Sequence, residues 1–205
     1  MKVPKGNLLQ KHAVVLVVYG LVFTLITVGA IYSERFLSVR NLTNVLRQAA
    51  YLGTAALGEM LVILTAGIDL SIGSLVKLSV LVSAILMDGN PDNVLMAVGL
   101  TLALGLSVGL IHAFFINELN LSPFVVTFAS LFILQGISLT ITTKPIGRSS
   151  KDFLLLYSQK FLEVPVIVFF FGLLTLLIAF LLRMTVFGKY IYAVDGNLTV
   201  AELSG

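Results

Sequence analysis

Among the ionisable side chains set within or between long apolar runs, Glu59, Asp69 and Lys77 stand out. A lone charge near the centre of a lipid bilayer costs about 2.5–3.5 kcal/mol on insertion scales. Each must therefore be paired, solvated or bound to backbone amides. Asp69 stands in LTAGIDLSIGS, Leu64–Ser74, directly before an apolar run that starts at Leu70. There it can accept hydrogen bonds from the first free N–H groups of a helix and meet the positive end of its dipole. Ser71 and Ser74 offer local partners, while Gly67 and Gly73 let the backbone bend and approach a neighbour closely. Two roles stay open for this turn. It is a helix cap at a tight connection, or a broken helix part-way into the membrane that lines a solute path. The two are compatible.

Glu59 and Lys77 each lie nine positions from Ile68 in the numbering. A hairpin turning near Ile68 would place them at equal depth, which predicts an ion pair or a shared wet cavity. Gln135 is expected to bond a neighbouring helix. His112 has no second His, Asp or Glu at ligand spacing, so no metal is expected. Cysteine is absent, which removes thiol catalysis and disulfides. Neither G-x-S-x-G nor H-E-x-x-H occurs, and there is no G-x-x-x-x-G-K-[ST] loop to cradle ATP. No catalytic residue and no cofactor are expected. If ATP drives this chain, a separate polypeptide binds it.

The elements that carry these residues are oily. Of 205 residues, 58% are hydrophobic and 11% charged, with a mean hydropathy of +1.05. A soluble domain carries about 25% charged residues. The composition therefore predicts an all-α, polytopic membrane helix bundle. Six apolar segments suffice to span: Ala13–Ile31, Leu46–Ala66, Leu70–Met87, Val94–Ile116, Pro123–Thr142 and Val164–Leu182. The first is too long for the apolar region of a signal peptide. Asp88–Asp92 reads as a turn, Ser122 as a cap before Pro123, and Lys144–Glu163 as a mixed-charge loop. Gly105-xxx-Gly109 suggests close helix packing, and Phe169–Phe171 reads as lipid-facing bulk. Three lysines and no acid before Ala13 place the N-terminus in the cytoplasm. Six spans return the C-terminus there. The chain divides into a tail at 1–12, a bundle at 13–182 and a cytoplasmic segment at 183–205, treated as one domain. In that segment Phe187-Gly188 and Asp195-Gly-Asn197 are turn candidates, and Asn197 can cap a helix from Leu198. The net charge of +3 is ordinary for a protein among anionic lipids and does not suggest nucleic acid.

Three stretches resemble a known group in order and spacing: GIDLSIGS at Gly67–Ser74, SPFVVTFASLFILQGISL at Ser122–Leu139, and FGKYIYAVDGN with A-x-L-S-G at Phe187–Gly205. The chain resembles the permease subunit of bacterial ATP-binding cassette importers for monosaccharides, of the ribose, xylose and galactose type, with relatives for autoinducer-2. The resemblance implies a membrane subunit in the bacterial inner membrane that moves a small polar solute. It also implies three protein partners: a cytoplasmic ATPase, a periplasmic solute-binding protein and a second permease subunit, identical or not. On it, Gly67, Asp69, Ser71, Gly73 and Ser74 lie beside the translocation path, and Gly188, Gly196, Asn197, Ala201, Leu203 and Ser204 belong to an ATPase-coupling segment. The chain departs from the group at Leu198-Thr199, where acidic residues are usual, at Asp195 and at Lys77. Such permeases run longer, so the chain looks like an N-terminal portion and is expected not to support transport alone. Two other readings stand beside this one. In one, the chain is an ion-coupled transporter using Asp69, Glu59 and Lys77. In the other, it is a truncated membrane protein that does not transport.

Overall fold

The computed structural model describes residues 8–144 and 146–196. Four expected coupling residues, Asn197, Ala201, Leu203 and Ser204, lie outside the described residues. The helices in chain order are α1 (Leu8–Tyr32), α2 (Val39–Leu64), α3 (Ile72–Met87), α4 (Val94–Ala113), α5 (Pro123–Ile141), α6 (Lys151–Ser158), α7 (Val166–Met184) and α8 (Val186–Gly196). A 3-10 turn at Pro91–Asn93 precedes α4, and a π-helical turn at Phe114–Glu118 follows it. The strands are β1 (Lys160–Phe161) and β2 (Val164–Pro165), an antiparallel hairpin.

Among the described residues, four helical segments are long and apolar enough to cross a membrane: Val15–Tyr32, Pro91–Glu118, Pro123–Ile141 and Val166–Met184. The second and third expected spans differ from these. α2 carries Arg40, Arg47 and Glu59 along its length. α3 has 16 residues and reaches about 24 Å, short of a hydrocarbon core of about 30 Å. These two helices flank the break that contains Asp69.

Two compact units divide the chain, Met1–Leu46 and Arg47–Gly205. In the first, α1 ends at a turn where the Phe36 ring folds over Gly29, so close that an added Cβ would lie 2.6 Å from the ring. Asn41 Nδ2 donates to the Phe36 carbonyl at 2.7 Å and fixes the entry to α2.

In the second unit, α3 packs between α4 and α5, with Leu78, Met87, Ala97, Val126 and Leu134 buried. Phe171 of α7 lies over Gly53 of α2, where a Cβ would sit 2.6 Å from the ring. This corrects the expectation of lipid-facing bulk for that residue, while Phe169 and Phe170 remain exposed. No atom comes within 4 Å of a Cβ added at Gly105 or Gly109, so this small-residue face is open among the described residues. Gln135 is exposed, contrary to the helix contact expected of it. Ser122 takes the N-cap position of α5 without a side-chain bond.

The loop expected at Lys144–Glu163 is structured from residue 146 onward. Residues 146–150 form a strap across the end of α3. Arg148 N–H donates to the Ala84 carbonyl at 3.1 Å, and Gly89 N–H donates to the Arg148 carbonyl at 2.8 Å. Gly147 has φ 78, and a Cβ on it would lie 2.5 Å from the Ala84 backbone. Ser150 is fully buried, and its Oγ accepts from Phe153 N–H at 3.2 Å to start α6. α6 meets α2 through stacked Tyr51 and Tyr157 rings, 6.1 Å apart. Arg47 lies 4.6 Å over the Tyr157 ring.

Candidate functional site: the helix break between α2 and α3

α2 ends with Ala66 in the left-handed region at φ 57. Ala66 N–H donates to the Ile63 carbonyl at 2.9 Å, and Gly67 N–H reaches back to the Val62 carbonyl at 2.9 Å. This bond pair closes many helices, with glycine usually at the left-handed position. Here alanine holds it, and Gly67 serves another need. A Cβ on Gly67 would lie 2.9 Å from Val62 Cγ1 and 3.1 Å from the Val62 carbonyl oxygen. Close approach, not bending, demands glycine there.

Asp69 does not bond the first turn of α3, which starts at Ile72, later than Leu70. Its Oδ1 accepts from Ser71 N–H at 2.7 Å and from Ser71 Oγ at 2.7 Å. The side chain thereby closes a local turn just ahead of the helix. Ser71 holds the N-cap position and is fully buried. Ser74 is not among the partners of Asp69. Gly73 has open space where a close neighbour was expected.

The break is pinned from α5, a link the sequence reading missed. Thr127 Oγ1 shares its proton between the Ile68 carbonyl at 3.0 Å and the Pro123 carbonyl at 2.8 Å. Thr127 is buried. Nearby, His112 Nε2 and Ser130 Oγ lie 2.8 Å apart and tie α4 to α5. They end an apolar cleft of ≈ 550 Å³ along α3, α4 and α5, whose lining offers few partners to a sugar.

Glu59 and Lys77 do not form the expected pair. The ion pair seen among the described residues joins Lys160 to Glu163 at 3.1 Å. Glu59 Oε2 is buried without a hydrogen-bond partner, and Lys77 is exposed. The reason is packing. α3 turns to α4 and α5, so equal distance from Ile68 along the chain does not become proximity. Among the described residues no group of His, Cys, Asp and Glu could hold a metal.

The start of the segment expected to couple to an ATPase is helical. Phe187 and Gly188 lie inside α8, not at a turn. The bend falls at Thr185, which is extended at φ −114, ψ 161. Thr185 Oγ1 donates to the Leu181 carbonyl and accepts from Gly188 N–H at 3.3 Å. A Cβ on Gly188 would lie 1.9 Å from the Leu182 carbonyl oxygen. Gly188 thus lets α8 fold back against the end of α7. α8 continues through Asp195 to Gly196, where a turn was expected.

Residues 41–205 match the family described as branched-chain amino acid transport system / permease component. The chain belongs to this permease family. It is a multi-pass helical membrane protein. It is 33% identical over 186 residues to the ribose import permease protein RbsC of Escherichia coli, covering 88% of this chain and 58% of that one. It is 33% identical over 192 residues to the D-allose transport system permease protein AlsC of the same organism, covering 91% and 59%. It is 33% identical over 178 residues to the inner membrane ABC transporter permease protein YjfF, also of Escherichia coli, covering 83% and 53%. The resemblance to sugar-import permeases read from GIDLSIGS and its companion stretches is therefore met. The chain spans less than two thirds of the length of these relatives. No solved structure matches it.

Proposed function

We propose that these residues are a membrane-spanning portion of an ATP-binding cassette importer subunit that passes a monosaccharide or similar small polar solute across the bacterial inner membrane. A separate cytoplasmic ATPase supplies the energy. A periplasmic binding protein delivers the solute, and a second permease subunit completes the path. The observation that carries this reading is the family match over residues 41–205, with relatives named for ribose and allose import. The pinned break at Gly67–Ser71 supports a place beside the path, and α8 supports an ATPase contact that continues into Asn197–Ser204. With both termini cytoplasmic, the Asp69 turn and α8 face the ATPase side. The test is uptake of labelled ribose or allose into proteoliposomes holding the permease, its ATPase and its binding protein. Uptake should require ATP and the binding protein.

One observation favours a second reading. The buried, unpartnered Oε2 of Glu59 is the kind of group an ion-coupled transporter would use. Uptake that follows the membrane potential and ignores the ATPase would replace the first reading with this one.

A further inference from the structure

The first unit contains a polar cleft of ≈ 470 Å³ where α1 gives way to α2, with Ser33, Arg35, Ser38, Arg40, Asn41 and Asn44 on its walls. No carboxylate lines it, since the neighbouring Glu34 is not part of the wall. Neither Arg35 nor Arg40 joins an ion pair among the described residues. Two arginines therefore line one cleft, and among the described residues neither is paired with a carboxylate.

The depth of the cleft says what surrounds it. α1 carries the apolar stretch Val15–Tyr32, none of it buried, and closes on Tyr32, 87% exposed. Its 25 residues reach about 37 Å, more than a hydrocarbon core of about 30 Å. The residues just after it stand among lipid headgroups, where tyrosine is favoured. The abundant anion of that layer is the phosphodiester of a phospholipid. A guanidinium meets two phosphate oxygens at once with its planar fork. Two further donors are near. The Ser33 hydroxyl makes no other bond among the described residues. Asn41 Nδ2 spends one hydrogen on the Phe36 carbonyl and keeps a second.

Charge also selects the headgroup. One phosphodiester leaves two guanidiniums with a net positive charge. A headgroup that brings its own ammonium is repelled, whereas a glycerol headgroup is not. We propose that this cleft binds the phosphate of an anionic phospholipid of the phosphatidylglycerol type. The proposal does not rest on the transport reading.

The test is native mass spectrometry of the full chain after exchange into phosphatidylglycerol or phosphatidylcholine. The wild type should retain phosphatidylglycerol and not phosphatidylcholine. A basic side chain at an anionic surface contributes about fivefold in affinity. Arg35→Gln/Arg40→Gln should therefore bind phosphatidylglycerol about 30-fold more weakly, whereas Lys151→Gln, an exposed cation elsewhere, should bind as the wild type does. If the double variant fails to fold, the wild type decides by thermal shift, because phosphatidylglycerol should raise its melting temperature and phosphatidylcholine should not. Unchanged retention by the double variant, or equal response to the two lipids, would overturn the proposal. Inorganic phosphate that displaces the lipid and stabilises the protein equally well would identify a free-anion site and reject the lipid source.

Discussion

Thr127 is where two separate sequence stretches become one structural feature. Its hydroxyl is the side-chain donor from α5 to the Ile68 carbonyl at the break. Thr127→Val keeps the shape and removes the donor. A carbonyl left unsatisfied costs about 1–3 kcal/mol, so the variant should melt earlier in detergent, while Thr127→Ser should restore most of the loss. Equal melting of all three proteins would show that water replaces the hydroxyl. The adjacent small residues Ala66 and Gly67 should respond with opposite signs. Ala66 is held at φ 57, where an L-residue pays about 1–2 kcal/mol, so Ala66→Gly should stabilise by up to about 1 kcal/mol after the entropy of glycine is counted. Gly67→Ala pushes a methyl to within 2.9 Å of Val62 Cγ1 and should destabilise by about 1–3 kcal/mol, as overpacking does. Denaturation midpoints of the two variants decide this. A drop for Ala66→Gly would mean that the left-handed turn is not strained.

Among the elements, the helices were legible because apolar runs of bilayer length leave little choice of secondary structure. The start of α4 at Val94, the start of α5 at Pro123 and the end of α3 at Met87 agree with the positions expected from sequence. What could not be read was partnership. Asp69 was expected at the head of α3, yet Ser71 takes the cap, because an aspartate two residues ahead can close its own turn onto Ser71 N–H. Equal offsets from Ile68 suggested a pair for Glu59 and Lys77, yet α3 chose α4 and α5. The strap at 146–150 escaped notice because its ordering bonds are backbone bonds to Ala84 and Gly89, which no side-chain pattern announces. The α7–α8 joint is the element with the sharpest consequence. In Gly188→Ala the new methyl would stand 1.9 Å from the Leu182 carbonyl oxygen. That contact is backbone and cannot rotate away, so α8 must leave its place against α7. If the proposed function holds, ATP-driven uptake should fall at least about tenfold, while Ala193→Gly, in the same helix, should lower it only modestly. An unimpaired Gly188→Ala would remove the fold-back of α8 from any account of coupling.

For the whole molecule, two hydrogen bonds constrain how the chain threads the membrane. Gly89 N–H donates to the Arg148 carbonyl, so the connection from α3 to α4 and the strap after α5 share one side. Thr127 donates to the Ile68 carbonyl, so the break before α3 and the start of α5 share an end of the bundle. Together these fix α3, α4 and α5 as an alternating set within the second unit, without reference to loop charge. On the proposed topology, with the lysines before Ala13 in the cytoplasm, the break faces the cytoplasm and Lys144, Arg148, Lys151 and Lys160 lie across the membrane from it. The chain contains no cysteine, so single cysteines report cleanly. An impermeant maleimide applied to intact cells should label Asp92→Cys and Glu163→Cys. It should reach Glu118→Cys only after the membrane is opened. Labelling of Asp92→Cys and Glu163→Cys from opposite sides would contradict the Gly89–Arg148 bond itself. Labelling of both from the cytoplasmic side only would keep the fold and invert it in the membrane. The Asp69 turn and α8 would then lie on the side away from the ATPase, and the proposed import mechanism would fail while the helix packing stood.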